Sequence, residues 1–138
     1  MNKHPERSRT LDELEGIRWP DPPLGSTGLV RTVHMLRRKP ISELTAYELG
    51  RLIGQDVGLR WTLPLAIEIL RDAASRQAEG GFFDDDLLSA VLTRSAEVWS
   101  AHPGLAAEVR EVVGTLTDLS PYLESDVDGF RKASEGKG

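Results

Sequence analysis

The sequence predicts an all-α protein, a compact single-domain bundle of about six helices. Apolar residues recur at spacings of three and four in each apolar segment, which is the period of a helix with one buried face. No run alternates between apolar and polar residues over a useful strand length, and no heptad repeat is long enough for a coiled coil. With 138 residues, 39% hydrophobic and 28% charged, the chain fits one globular domain. We place this domain at residues 10–131, between flexible tails at 1–9 and 132–138.

The first predicted elements are a short helical turn and a proline-rich loop. Thr10 is a helix-capping residue before LDELE, and Gly16 ends that turn. The following IRWPDPPLGSTG contains three prolines and two glycines, so it is predicted to be extended rather than helical. Trp19 and Ile17 are expected to pin this loop onto the helical body.

A helix capped by Ser26 is then predicted to run to about Arg38. Its inner face is formed by four apolar residues, Leu29, Val30, Val33 and Leu36. The basic cluster Arg37–Lys39 stands at its end, where positive charge complements the helix dipole. This interpretation is favoured over a nucleic-acid site, because no aromatic residues interleave with the cluster and no second basic patch accompanies it.

The stretch from Thr45 to Leu70 predicts two helices at the centre of the bundle. Thr45 and Glu48 form a capping-box pattern, and Gly58 is expected to end the first helix in a left-handed conformation. The second helix is predicted to start near Thr62, with Pro64 in its first turn. It is apolar almost all round, so other elements must cover it on several sides.

Three more helices are predicted in the second half of the chain. Asp84 or Asp85 caps the first of them, and the His102-Pro103 and Ser120-Pro121 pairs open the other two. The residues expected to be most deeply buried lie on the inner stripes of the most apolar helices: Ile53, Leu65, Ile67, Leu70, Leu88 and Leu92.

The segment from Glu79 to Asp86 is the candidate partner-binding site. Three consecutive aspartates stand at the predicted start of a helix, where negative charge is favourable. Capping explains one or two of them, and the third is surplus. Two phenylalanines precede them, so the segment combines charges that steer a partner with rings that anchor it. The candidate residues are Glu79, Phe82, Phe83, Asp84, Asp85 and Asp86.

No catalytic or metal-binding constellation is visible, so neither an enzyme nor a cofactor is predicted. The chain has no cysteine, and its histidines, His4, His34 and His102, lack the spacing of a metal pair. No GxSxG elbow and no phosphate-binding GxxxxGK[ST] loop occur. The net charge of −5 disfavours non-specific nucleic-acid binding. No export signal and no apolar run of membrane-spanning length are seen, which predicts a cytoplasmic protein that does not enter the membrane.

Several motifs resemble a known bacterial family. The run LRRKPISELTAYELGRLIGQDVGLRWTLPLAIEIL combines a basic LRRKP turn, Leu-Thr, LIGQ, Gly-Leu and PLA-x-x-x-L. LEG followed by Trp19, and DLLSAVL followed by Trp99 and His102-Pro103, complete the pattern. In this order, from about Leu11 to Val113, they resemble contact-dependent growth inhibition (CDI) immunity proteins. The chain departs from the family pattern at GGFFDDDLL and at Arg60-Trp61, where partner contacts are expected.

The resemblance implies a cytoplasmic protein that binds the C-terminal toxin domain delivered by a neighbouring cell and blocks its active site. It points to a nuclease, and within that class to a ribonuclease. Two other interpretations stay open. One is a small helical adaptor or regulator that binds a housekeeping partner. The other is a DNA-binding regulator that uses the Arg37–Lys39 cluster, which predicts salt-sensitive DNA binding.

Overall fold

The described part of the protein is mainly α-helical. Its structure is a computed structural model that describes residues 5–77, 85–116 and 119–135. In these residues there are eight α-helices: α1 (Leu11–Glu15), α2 (Gly28–Leu36), α3 (Ala46–Gly54), α4 (Leu59–Gln77), α5 (Asp85–Leu92), α6 (Ala96–Ala101), α7 (Pro103–Gly114) and α8 (Pro121–Ser134). Two 3₁₀ turns, Pro5–Ser8 and Ile41–Glu43, add to them, and no strand occurs in the same residues. The predicted all-α class is confirmed, with eight helices where about six were expected.

Helices α3, α4 and α5 form the centre of the fold. Each packs against the other two, α7 covers another side of α4, and α8 packs on α5, α6 and α7. The inner residues of these helices follow the helical period and are almost fully buried: Leu49, Leu52 and Ile53 in α3, Leu63, Ile67 and Leu70 in α4, and Leu87, Leu88 and Val91 in α5. The central position predicted for α4 is therefore confirmed.

Five of the six predicted core residues are buried, and Leu65 is the exception. The buried stripe of α4 runs through Leu63, Ala66, Ile67 and Leu70. Leu65 lies beside this stripe and is only half-buried against the core. A helix that is apolar on most sides offers several possible inner faces, so its residue pattern alone does not identify the one that faces the core.

Local capping chemistry sets several helix starts as the sequence predicts. The Thr10 side chain accepts a hydrogen bond from the Glu13 amide in a capping box, and the Ser120 side chain caps α8. At α3, the Thr45 hydroxyl accepts from the Glu48 amide at 3.1 Å, and the Glu48 carboxylate accepts from the Thr45 amide at 3.0 Å. These reciprocal bonds satisfy two amides that a helix leaves unpaired at its start.

The predicted bounds of α2 are wrong at both ends. The capping residue is Thr27, whose side chain accepts from the Val30 amide at 3.2 Å. The Ser26 hydroxyl instead donates to the Pro23 carbonyl at 2.5 Å, which stabilises the turn before the helix. The helix ends at Leu36 rather than near Arg38.

The junction between α3 and α4 also differs from the prediction. Helix α3 ends at Gly54, and Asp56 has a positive φ of 56° shortly after it. Gly58 does adopt the predicted left-handed conformation, with φ 61°, but it precedes α4 rather than ending α3. Because α4 begins at Leu59, Pro64 lies in its second turn rather than its first. The wrong start follows from taking a proline as a first-turn residue, which is only its most common helical position.

The loop between α1 and α2 is held by one of its two predicted anchors. The Trp19 ring packs edge-on against the His34 ring at 5.0 Å between centroids. The His34 Nδ1 atom lies 2.8 Å from the Pro20 carbonyl oxygen. Ile17 is largely exposed, so the prediction that it pins the loop is wrong. No described helix has the length and apolar character needed to cross a bilayer.

Candidate partner-binding surface

The structure describes only the end of the predicted binding segment. Glu79, Phe82, Phe83 and Asp84 lie outside the described residues. Asp85 is the first residue of α5, where its backbone alone is described, and the Asp86 side chain is exposed to solvent. The helix start predicted at this point is therefore found, while a binding role for the whole segment stays a prediction.

Asp86 lies at a cleft between α3 and α5 that the sequence analysis did not identify. The cleft has a volume of about 390 Å³. Its described lining residues come from two helices, with Ala46, Tyr47, Gly50 and Arg51 on α3 and Asp86 and Leu87 on α5. We call this feature the α3/α5 cleft. It joins directly onto the predicted acidic segment, because Asp86 belongs to both.

Tyr47 and Arg51 form an exposed pair on the α3 side of the cleft. The Tyr47 side chain is 64% exposed, and the Arg51 Nε atom donates to its hydroxyl at 2.9 Å. The Arg51 guanidinium also lies 4.9 Å from the centre of the Tyr47 ring. Tyr and Arg are the residue types most often found at the energetic centres of protein interfaces. Tyr47 and Arg51 are four positions apart, a spacing that places them on the same face of a helix. The sequence prediction for this helix rested on its buried face and did not identify the pair.

Negative charge continues from the cleft along α5 toward α8. The Asp86 carboxylate has no hydrogen bond or ion pair with another residue in the described part of the chain. One turn further along α5, the Ser89 hydroxyl donates to the Asp126 carboxylate of α8 at 2.7 Å. Asp126 thus adds a second carboxylate next to the same face of α5. An exposed carboxylate without an internal partner is free to pair with a cation on another molecule.

The basic cluster Arg37–Lys39 is used inside the protein. Arg37 is buried, and its guanidinium pairs with Asp12 at 2.8 Å and with Glu15 at 2.5 Å. Complementation of the helix dipole, the role predicted for the cluster, therefore does not account for Arg37, because α1 brings two carboxylates against the end of α2.

The two other members of the cluster are also paired. Arg38 pairs with Asp21 at 3.0 Å, and Lys39 with Glu48 at 2.9 Å. The Lys39 hydrogen bond, followed by that of the Thr45 amide, lowers the pKa of the Glu48 carboxyl below its ordinary value. All three basic side chains therefore already have carboxylate partners within this chain.

Metal-binding geometry is not found in the described residues. No group of three or more His, Asp or Glu side chains among residues 5–77, 85–116 and 119–135 is arranged to hold a metal ion. The α3/α5 cleft offers an aromatic ring, a guanidinium and a carboxylate on a mostly apolar floor, and these groups suit non-covalent recognition.

Comparison with known proteins identifies the family. A family model described as CDI immunity proteins matches residues 13–109, which is more than half of the chain. The matched region extends from α1 into α7 and includes both sides of the α3/α5 cleft. Neither the comparison with curated proteins nor the comparison with solved structures gives a match. The chain belongs to the family of CDI immunity proteins.

Proposed function

We propose that this protein binds the C-terminal domain of a cognate toxin in the cytoplasm and neutralises it by blocking its active site. The observation that carries the proposal is the family match over residues 13–109. The contact surface proposed here comprises the segment from Glu79 to Asp86 together with the α3/α5 cleft.

The charge of this surface favours a nuclease as the toxin, and we propose a ribonuclease. A nuclease must hold phosphates, so its active-site cleft is basic. An inhibitor gains from carboxylates that take the place of phosphates, because opposite charges steer the encounter and increase the association rate. The run Asp84–Asp86 supplies three such groups at consecutive positions in the sequence, and the overall charge of −5 has the same sign.

The first experiment measures binding to the toxin domain encoded beside this gene. The variant Asp85→Lys/Asp86→Lys should associate about tenfold more slowly than the parent at low salt, since electrostatic steering changes association rates by this order or more. Its association rate should also depend less on salt concentration. A growth-rescue assay with the same toxin should show weaker protection.

A matched control separates local charge from total charge. Glu97 and Asp128 are exposed, lie on α6 and α8, and do not line the cleft. The variant Glu97→Lys/Asp128→Lys changes the net charge by the same amount and should bind nearly as well as the parent. If both double variants bind and protect like the parent, the acidic segment is not the contact surface. If the parent itself neither binds nor protects, the immunity proposal fails for that toxin and an adaptor role becomes the better interpretation.

A further inference from the structure

We propose that the α3/α5 cleft receives one long basic side chain of the toxin domain, with Gly50 as the floor and Asp86 as the counter-ion. This inference rests on the proposed function and adds to it the chemical type of group that the cleft accepts. It assigns a specificity role to Gly50, for which the sequence alone indicates only a position within a helix.

Nothing in the described residues requires glycine at position 50. It lies in the middle of α3, where glycine is less stable than alanine because of its greater backbone freedom in the unfolded chain. Its φ is not among the positive values of the described backbone. Among the described residues, a Cβ atom added there would meet only the Leu87 Cδ1 atom, at 4.0 Å, which is an ordinary van der Waals distance. Packing and backbone geometry therefore both permit a side chain at position 50. Because glycine has none, the cleft stays open there.

The lining of the cleft matches the two parts of a Lys or Arg side chain. The methylene stem of such a side chain is apolar and packs along apolar surface, while its charged head needs a polar partner. Ala46, Gly50 and Leu87 supply the apolar floor, and the exposed Tyr47 ring supplies a wall. Asp86 supplies a carboxylate that has no partner within the described residues.

Arg51 does not change this assignment. Its Nε and Nη2 atoms both donate to the Tyr47 hydroxyl, at 2.9 and 2.5 Å. The guanidinium is thus held on Tyr47, where it fixes the ring that forms the wall. Arg51 has no ion pair with a carboxylate in the described residues, but its guanidinium is hydrogen-bonded to Tyr47. Asp86 is the charged group of the cleft that has no hydrogen bond within the described residues, so we infer that the complementary group on the toxin is a cation.

The test fills the cleft without disturbing the fold. Gly50→Ala should leave the thermal midpoint of unfolding unchanged or raise it, because alanine favours the helix and its Cβ fits. Gly50→Gln should place a side chain into the cleft and increase the dissociation rate of the toxin domain about tenfold or more. Asp86→Asn should also increase the dissociation rate, with only a small decrease in the thermal midpoint from the lost negative charge at the start of α5.

Gly129 provides the matched control. It lies within α8, and no atom of the described residues would approach a Cβ added there within 4 Å. Gly129→Ala and Gly129→Gln repeat the same chemical changes on a helix that does not line the cleft, and both should bind toxin like the parent. A double-mutant cycle then pairs Gly50→Gln with Ala substitutions of the basic residues on the toxin. One of these residues should show strong non-additivity with Gly50→Gln and with Asp86→Asn.

Two results would overturn the inference while leaving the proposed function standing. In the first, the parent binds toxin and Gly50→Gln binds equally well, so the cleft is not a contact. In the second, Gly50→Ala lowers the thermal midpoint whereas Gly129→Ala does not, so the space above Gly50 is filled by the protein's own chain. If the parent binds no toxin domain, the proposed function and this inference fail together.

Discussion

Arg37 provides the sharpest test of how the N-terminal part of the fold is held. Its side chain is 1% exposed and lies between α1 and the end of α2. The guanidinium pairs with Asp12 and Glu15, and it stacks 4.2 Å from the centre of the Trp19 ring. Substitution with Met keeps much of the length and apolar stem and removes the charge. The change therefore isolates the electrostatic part of the contact.

The expected loss of unfolding free energy depends on which of the two carboxylates stays buried after Arg37 is replaced. The Asp12 side chain is only 10% exposed, so it cannot regain full hydration when Arg37 is removed. Breaking a buried ion pair on one side costs about 3–5 kcal/mol. The Glu15 side chain is more exposed, at 28%, and rehydrates more easily. We therefore expect Arg37→Met to lower the free energy of unfolding by about 3 kcal/mol, the lower end of that range.

Urea unfolding of a double-mutant cycle measures this coupling. Asp12→Asn combined with Arg37→Met should lose clearly less stability than the sum of the two single variants. Arg76→Met is the matched control: Arg76 pairs with Asp72 on α4, both side chains are mostly exposed, and the loss should stay below about 1 kcal/mol. A loss of less than about 1 kcal/mol for Arg37→Met, or additive effects in the cycle, would refute the reasoning.

Three further outcomes are expected from other parts of the fold. Ile67→Ala and Leu70→Ala should each lower the free energy of unfolding, measured with urea, by about 2–5 kcal/mol, because both side chains are buried. Losses below about 1 kcal/mol for both variants would contradict the central position of α4. Trp99→Ala should cost about 3–5 kcal/mol in the same assay, because the ring is buried. Glu48→Gln should be destabilising at neutral pH. Since the folded pKa of Glu48 is lowered from 4.5, the contribution of its charge is complete above that value and disappears as the pH falls through the folded pKa. The stability difference between parent and variant should therefore shrink in acid, and a constant difference would argue against the Lys39 contact as its cause.

The helical class and most helix starts were predictable because they depend on nearby residues. Thr10, Thr45 and Ser120 each cap the following helix, and each side chain accepts a hydrogen bond from the amide three residues later. The start of α2 was missed because Ser26 and Thr27 are both capping residues and stand side by side. The hydrogen bond of Ser26 to Pro23 decides between them, and it depends on the shape of a loop that the residue pattern does not specify.

The role of Arg37 was not predictable because its partners are distant in sequence. Asp12 lies 25 positions before it, and nothing in either local segment indicates that α1 packs against the end of α2. A basic residue in the last turn of a helix has a sufficient local explanation in the helix dipole. The ion pair between Arg37 and Asp12 becomes evident only when α1 and the end of α2 are seen packed together in the structure.

Distance along the sequence also explains why only part of the candidate surface was predictable. Asp86 was identified from its own segment, whereas Tyr47, Gly50 and Arg51 lie on a helix that comes much earlier in the chain. Their relation to Asp86 exists only because α3 packs along α5. Sequence reasoning therefore found one side of the cleft and missed the other.

In the proposed contact surface, the arrangement of α3 allows the contact residues to change while the fold persists. Leu49, Leu52 and Ile53 face the core, and the intervening positions Gly50 and Arg51 line the cleft. The helical period thus separates residues that hold α3 against α4 and α5 from residues that meet the solvent. Substitutions at Tyr47, Gly50 or Arg51 alter shape and charge in the cleft without removing a core side chain. We therefore expect changes in toxin preference to arise from the exposed positions of α3 and the start of α5, and changes in stability to arise from the buried positions of the same two helices.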